Sequence, residues 1–112
     1  MKKIIFTTVL GLVISNFTNA DTLIPRSVQG DKGKYYLIEK KKQGDIIITL
    51  HKRIGVETTD YTRLETNCKT MKMREIGTGE GSIKAIKINP TKWFDLVEGS
   101  SKSDLAHFVC KK

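Results

Sequence analysis

The side chains best suited to proton transfer are His51 and His107, the only histidines in the chain. A general acid or base needs a positioned partner and a reacting group within hydrogen-bond reach. His51 stands beside Lys52 and Arg53, which predicts an exposed strand end, and His107 falls off the apolar stripe of a predicted helix. The acidic residues are scattered, with no spacing that forces two carboxylates together. We therefore expect no enzymatic activity, no cofactor and no metal site.

A glycine-rich run, Gly77-Thr78-Gly79-Glu80-Gly81, is the nearest approach to a nucleotide-binding loop. A dinucleotide fingerprint needs Gly-x-Gly-x-x-Gly between a strand and a helix, whereas this run has a different spacing and precedes a basic strand. The chain also lacks the Gly-x-Ser-x-Gly of a nucleophile elbow. The run is therefore predicted to be a hairpin turn.

The two cysteines, Cys68 and Cys110, are the remaining candidates for redox or metal chemistry. No Cys-x-x-Cys pair is present, and no further cysteine or histidine lies close enough in sequence to complete a zinc pattern. An even number of cysteines in a small exported domain predicts a disulfide. Closing such a long loop would stabilise the fold by up to about 4 kcal/mol. Two free, buried thiols are the alternative.

Positive charge is the main remaining sign of a binding partner, because the chain has a formal net charge of +8. Basic side chains on one sheet face attract polyanions and anionic lipid head groups. The alternative is a solvated face whose lysines keep edge strands from pairing. The predicted patch comprises Lys40, Lys41, Lys42, Arg63, Lys72, Arg74 and Lys84.

The aromatic residues do not point to nucleic acid as the partner. Tyr35, Tyr36 and Trp93 are predicted to pack in the core rather than to stack on bases. For Trp93 an anchor for a protein partner is the alternative, because aromatic residues dominate binding hot spots. An exported chain without surface aromatics between its basic residues is not expected to bind nucleic acid.

Residues 1–20 have the three zones of a secretory signal peptide. Lys2 and Lys3 are followed by a mostly apolar run, and then by a short polar stretch that ends in Ala20. The apolar run is too short to span a bilayer. The residue directly after Ala20 is Asp21, so no cysteine stands at the cleavage point to take a lipid anchor. We expect an exported protein, periplasmic or extracellular, that is not lipid-anchored and has no integral membrane segment in its mature chain.

The remaining residues, 21–112, are predicted to form one small domain. A domain of this size buries only about 60–65% of its unfolded surface, so a covalent cross-link would help. Alternation of apolar and polar residues with a period of two is typical of strands. The predicted strands cover residues 22–24, 34–39, 46–53, 61–68, 69–76 and 82–88, with a charged turn over 40–45.

The final segment changes to a helical period. Ser101 and Asp104 resemble a capping box, and Leu105, Phe108 and Val109 fall on one stripe. A short helix would pack this stripe against the sheet. The predicted fold is therefore α+β, with an antiparallel sheet of five or six short strands and one C-terminal helix tied by the disulfide.

The C-terminal third carries the pattern W-x3-V-x-G-S-x4-L-x3-V-C, which runs from Trp93 to Cys110. Tyr35-Tyr36 and Tyr61-Thr62-Arg63 stand upstream of it, the latter leading into Cys68. Together with the signal peptide, these residues resemble the surface-adhesin protein E-like family of small exported bacterial proteins. The resemblance implies an antiparallel sheet, a C-terminal helix and a disulfide that maps onto Cys68 and Cys110.

The same resemblance implies binding of host extracellular-matrix proteins such as vitronectin and laminin, and formation of a homodimer. The chain differs from the adhesin of that family because no lipidated cysteine follows its signal peptide. The expected function is a non-enzymatic envelope protein that binds a protein or a polyanionic surface ligand. The alternative is a periplasmic inhibitor or immunity protein that blocks a toxin or hydrolase, although positive charge argues against a cationic lysozyme as its target.

Overall fold

The computed structural model describes residues 21–111, which form one antiparallel sheet with an α-helix at the C-terminus. The α+β class predicted from the sequence is confirmed, and so is the Cys68–Cys110 disulfide, which excludes the alternative of two free thiols. The predicted signal peptide, 1–20, lies outside the described residues and stays a prediction. Within residues 21–111, no helix has the length and apolar character needed to cross a membrane.

Four long strands build the sheet, and three strands of two residues complete it in the described part of the chain. The strands are β1 (Thr22–Leu23), β2 (Lys34–Gln43), β3 (Ile46–Ile54), β4 (Thr59–Asn67), β5 (Lys72–Glu80), β6 (Lys87–Ile88) and β7 (Phe94–Asp95), and the helix is α1 (Ser101–Cys110). β1 to β5 pair in chain order as an antiparallel meander. Both β6 and β7 pair with the outer edge of β5, at different points along it.

The main core lies between the sheet and α1. Successive residues of a strand face opposite sides of a sheet, and one face of β3, β4 and β5 contributes apolar side chains to the core beneath α1. Ile47 of β3, Leu64 of β4 and Met73 of β5 pack in one cluster with Leu105 and Val109 of α1. Burying each of these side chains contributes about 1.5–3 kcal/mol. We call this side of the sheet the helix-covered face and the other side the open face.

The helix begins one residue before the predicted capping position. Ser100 is the N-cap, and its hydroxyl accepts a hydrogen bond from the Ser103 backbone N–H at 3.1 Å. Ser101 is the first helical residue, so the predicted cap is wrong by one position. Asp104 closes no capping box, because its carboxylate accepts a hydrogen bond from Arg26 at 2.7 Å. This contact ties the N-terminal segment to the first turn of α1, while the disulfide holds the last turn.

The charged turn predicted over 40–45 is wrong. Residues 40–43 continue β2, and only Gly44 and Asp45 form the turn into β3. Gly44 has a φ of 63°, a left-handed conformation that glycine adopts without steric cost. Consecutive lysines are compatible with a strand because their side chains alternate between the two faces, which separates their charges.

The hairpin turn predicted over Gly77–Gly81 is also wrong, because β5 runs through this stretch to Glu80. Its glycines are explained by a close backbone approach. A Cβ at Gly79 would collide with the backbone of Ala85, and one at Gly77 would collide with the backbone of Lys87. The chain after β5 therefore lies directly on these two glycines.

The continuous strand predicted over 82–88 is consequently replaced by a short folded segment. It consists of a 3₁₀ turn, Ile83–Ala85, and the two-residue strand β6. The segment bends because it must pass over Gly77 and Gly79 before it pairs with the edge of β5. It covers one end of the sheet.

Candidate anion-binding site

A basic cavity of about 670 Å³ lies where the end of α1 meets the turn between β2 and β3. Its lining includes four lysines and one aspartate, which give a formal charge of +3. We call it the lysine-lined cavity. It is lined by Lys40, Lys42, Gly44, Asp45, Ile47, Cys68, Lys69, Val109, Cys110 and Lys111.

Strand β2 supplies two of the four lysines. Lys40 and Lys42 are two residues apart, so both project from the same face of the sheet. Their partners in β3 are Thr49 and Ile47, and Ile47 packs beneath α1. The two lysines therefore stand on the helix-covered face, where both are exposed.

The disulfide positions the other two lysines. Lys69 follows Cys68 and Lys111 follows Cys110, so the bond between the cysteines brings both lysines to the same cavity. The Cys68 backbone N–H also donates a hydrogen bond to the carbonyl of Asp45 at 2.9 Å. The end of β4 is thereby held against the turn between β2 and β3.

None of these four lysines has a carboxylate within 4.0 Å among residues 21–111. An ammonium group offers three hydrogen-bond donors and no acceptor, so its natural partners are carboxylate, phosphate and sulfate oxygens. Ile47 and Val109 are buried and give the cavity an apolar floor. Such an arrangement can hold a ligand that carries several negative charges along its length.

The other five basic residues of the predicted patch lie outside this cavity. One row of directly opposed residues crosses the sheet from β5 to β2. It consists of Arg74, Glu65, Ile48 and Lys41. Directly opposed residues share a face, so Arg74 and Lys41 stand on the open face. The same register places Arg63 and Lys72 on that face. Lys84, the seventh residue of the predicted patch, is exposed in the 3₁₀ turn.

Four cations of the open face have carboxylate partners, whereas Lys34 and Lys41 of the same face have none within 4.0 Å among the described residues. Leu50 lies in the register between Arg63 and Glu39 and is only 1% exposed. The long charged side chains thus cover apolar surface of the sheet in addition to forming ion pairs. The pairs are Arg74–Glu65 at 2.9 Å, Lys72–Asp95 at 2.9 Å, Arg63–Glu39 at 3.7 Å and Lys52–Asp21 at 2.6 Å.

Trp93 is not a core residue, contrary to the prediction from the sequence. Its side chain is 39% exposed, and the Arg74 guanidinium lies 5.2 Å from the ring centroid. The reason is strand alternation, because Phe94 points into the main core and its neighbour must point the other way. Lys52 makes the same kind of contact with Tyr36, at 5.7 Å.

A second cavity, of about 410 Å³, has balanced charges. Its lining includes Arg26 and Lys111 as cations and Glu98 and Asp104 as anions. Arg26 and the Ser27 backbone N–H both donate to the Asp104 carboxylate, at 2.7 and 3.1 Å. Burial raises the pKa of Asp104, but the hydrogen bonds from Arg26 and Ser27 outweigh it, so this pKa lies below its usual value. The contacts of Asp104 with Arg26 and Ser27 hold α1 in place. Glu98 and Lys111 have no ion-pair partner within the described residues, and Lys111 lines both cavities, with its ammonium 5.5 Å from the centroid of the Phe108 ring.

Asp31 is the centre of a related network at the start of β2. Its carboxylate accepts hydrogen bonds from Arg53 at 2.6 Å, from the Tyr35 hydroxyl at 2.7 Å and from the Gly33 backbone at 2.8 Å. These bonds, that of Arg53 first, hold the pKa of Asp31 well below its usual range. The network fixes the loop before β2 onto the end of β3.

His51 is buried, not exposed as the sequence predicts. Only 8% of it is exposed, and its Nδ1 has no hydrogen-bond partner among the described residues. Burial, together with the charge of Lys102, lowers the pKa of His51 to about 4. The hydroxyls of Thr49 and Thr66, on the same face, are likewise buried without a partner in the described part.

His107 is exposed on α1, as the sequence predicts. Its Nδ1 lies 2.9 Å from the carbonyl oxygen of Ser103. A carbonyl only accepts, so this nitrogen donates its proton and the imidazole is held by its own helix. Within the described residues, no group of three or more histidine, cysteine, aspartate or glutamate side chains could hold a metal ion.

Sequence reasoning missed two lysines of the cavity, Lys69 and Lys111. The signal was present, because each of the two cysteines is followed directly by a lysine. Treating residues 40–42 as a turn also hid the fact that Lys40 and Lys42 share a face.

No family model, no curated protein and no solved structure matches the chain. The resemblance to the surface-adhesin protein E-like family therefore stays a prediction.

Proposed function

We propose that the protein is an exported, non-enzymatic binding protein of the bacterial envelope, and that the lysine-lined cavity binds an anionic surface ligand. One observation carries this function: four lysines without a carboxylate partner in residues 21–111 converge on one cavity. Like charges held together raise the free energy of the unbound protein. An anionic ligand would relieve that repulsion.

The disulfide supports the exported location, because such bonds persist in oxidising compartments. It also supports the site, since it joins two walls of the cavity and places a lysine on each. The expected ligands carry sulfate, phosphate or carboxylate groups, which are common on host matrix and on bacterial surfaces. A matrix-binding adhesin and its dimer remain expectations from the family resemblance.

The test is binding of a heparin oligosaccharide, a polymer with closely spaced sulfates, to the exported protein at several salt concentrations. We expect saturable binding whose affinity falls as salt rises. The reason is that lysines bound to the polymer displace the counterions condensed on it. The double variant Lys40→Gln/Lys42→Gln should bind about tenfold more weakly and should show a smaller salt dependence.

The matched control is Lys84→Gln/Lys87→Gln, which removes the same charge from exposed positions outside the cavity. This variant should bind like the parent protein. Equal weakening by the two double variants would mean that net charge alone attracts the polymer, and it would contradict a site at the cavity.

A further inference from the structure

The outer edge of β2 is occupied along only part of its length. β1 pairs with Tyr36 and Leu37, and the Ile24 N–H donates to the carbonyl of Tyr35 at 2.8 Å. Beyond Leu37, no strand within residues 21–111 pairs with this edge, although β3 pairs with the inner edge as far as Gln43. Alternate residues of the stretch 39–43 therefore present unpaired N–H and C=O groups outward.

This free edge forms one rim of the lysine-lined cavity. Lys40 and Lys42 project from it on the helix-covered face, into the cavity, while Lys41 projects on the open face. Lys69 and Lys111 also line this cavity. A strand laid along the edge would thus place its alternate side chains among four lysines, and the remaining ones beside Lys41.

We infer that residues 39–43 bind an extended acidic peptide, which adds one strand to the sheet. The inference rests on the proposed function, because the acidic side chains of the peptide enter the lysine-lined cavity. The backbone of the peptide pairs with the free groups of β2, and its carboxylates accept hydrogen bonds from the lysines. Main-chain pairing supplies affinity in this mode, and alternate side chains supply specificity.

Other occupants fit this edge less well. A sulfated glycan satisfies the lysines but has no amide backbone to pair with the strand. A second copy of this chain would set its own Lys40–Lys42 segment beside the first, and like charges opposite each other destabilise a strand pair. The lysines therefore exclude self-association at this edge and admit an acidic strand.

The test uses an acidic peptide of about six residues, with glutamate at alternate positions, and the protein as purified after export. Two derivatives carry backbone N-methyl groups on complementary sets of alternate residues, so that charge is unchanged. Only one set of N–H groups faces β2 in an added strand. We expect one derivative to bind about tenfold more weakly and the other to bind like the parent peptide.

Amide exchange of residues 39–43 gives the second readout. Bound peptide should slow exchange there, and Lys40→Gln/Lys42→Gln should weaken binding while Lys84→Gln/Lys87→Gln should not. Equal affinity of both methylated peptides, with unchanged exchange, would overturn strand addition. If a heparin oligosaccharide still bound at the cavity in that case, the proposed function would stand. Failure of both probes to distinguish the two double variants would overturn both proposals.

Discussion

The open face and the lysine-lined cavity differ in whether their basic side chains have carboxylate partners. On the open face Arg63, Lys72 and Arg74 each lie within 4.0 Å of a carboxylate. At the cavity no lysine has such a partner within residues 21–111, although Lys40 and Lys42 belong to the same sheet. The paired cations shield a sheet face that no helix covers. The number of basic residues thus says little about an anion site, and the support for the proposed site is the convergence of lysines without partners.

Loss of the disulfide is expected to have the largest effect, and to affect the cavity more than the open face. The variant Cys68→Ser/Cys110→Ser frees the last turn of α1, which forms one wall of the cavity. We expect it to lower the free energy of unfolding by about 2–5 kcal/mol, measured by denaturant titration. Amide exchange in α1 should accelerate more than exchange in β5. An unchanged unfolding midpoint would contradict this assignment.

Acid should destabilise the helix-covered face through His51. The pKa of His51 is lowered from 6.5 to about 4 in the folded protein, so the unfolded chain takes up its proton first as pH falls. Stability from this residue is fully present above pH 6.5 and is lost between pH 6.5 and about 4. The total loss is about 3 kcal/mol.

The variant His51→Leu should therefore show a smaller fall in stability across this pH range, measured by urea unfolding at several pH values. It also removes a buried nitrogen that has no hydrogen-bond partner in the described structure. The control is His107→Gln, which removes the exposed histidine of α1 and leaves His51 in place. A parallel pH dependence in the His51 variant and the parent would show that the imidazole is not the group that titrates.

On the open face, Gly79→Ala should be the most damaging small substitution. Its methyl group would collide with the backbone of Ala85, so the 3₁₀ turn over the end of β5 would have to move. Overpacking of this kind costs about 1–3 kcal/mol, visible as a lower melting temperature. Gly44 differs from Gly79 in the source of the strain. No atom lies within 4 Å of an added Cβ at Gly44, and only its φ of 63° disfavours alanine. Gly79→Ala is expected to leave anion binding at the cavity unchanged, and a loss of binding would mean that the two regions are coupled.

The smallest effects separate paired cations from unpaired ones. Arg74→Gln breaks an ion pair of 2.9 Å with Glu65 and should cost about 0.2–1 kcal/mol. Lys42→Gln breaks no ion pair within the described residues and should change stability by less than about 0.5 kcal/mol. For anion binding the order is reversed, because Lys42→Gln should weaken it more than Arg74→Gln. Two variants with equal stabilities and equal affinities would remove the distinction between the regions.

The sequence predicted the parts of the fold that depend on periodicity and compartment. Alternation identified β3, the apolar stripe identified α1, and cysteine number together with predicted export identified the disulfide. The glycine run misled because close approach of a second backbone segment demands glycine just as a turn does. His51 misled because burial depends on where α1 packs, which local charge does not reveal.

The sequence analysis identified two of the four lysines that line the candidate site. The lysines at 40–42 were noticed, but assigning them to a turn concealed their alternation. Lys69 and Lys111 are 42 residues apart, as are the cysteines they follow, and only the disulfide brings them together. The carboxylate partners of Arg63, Lys72 and Arg74 depend on strand register and on β7, which short-range patterns do not specify.

The most direct test of the account is to map the bound ligand by nuclear magnetic resonance. A heparin oligosaccharide is titrated into the isotopically labelled, disulfide-bonded protein, and the backbone amide shifts are followed. We predict that the shifts concentrate at residues 40–45, at Lys69 and at residues 109–111, around the lysine-lined cavity. Shifts concentrated at Arg63, Arg74 and Trp93 on the open face would contradict it.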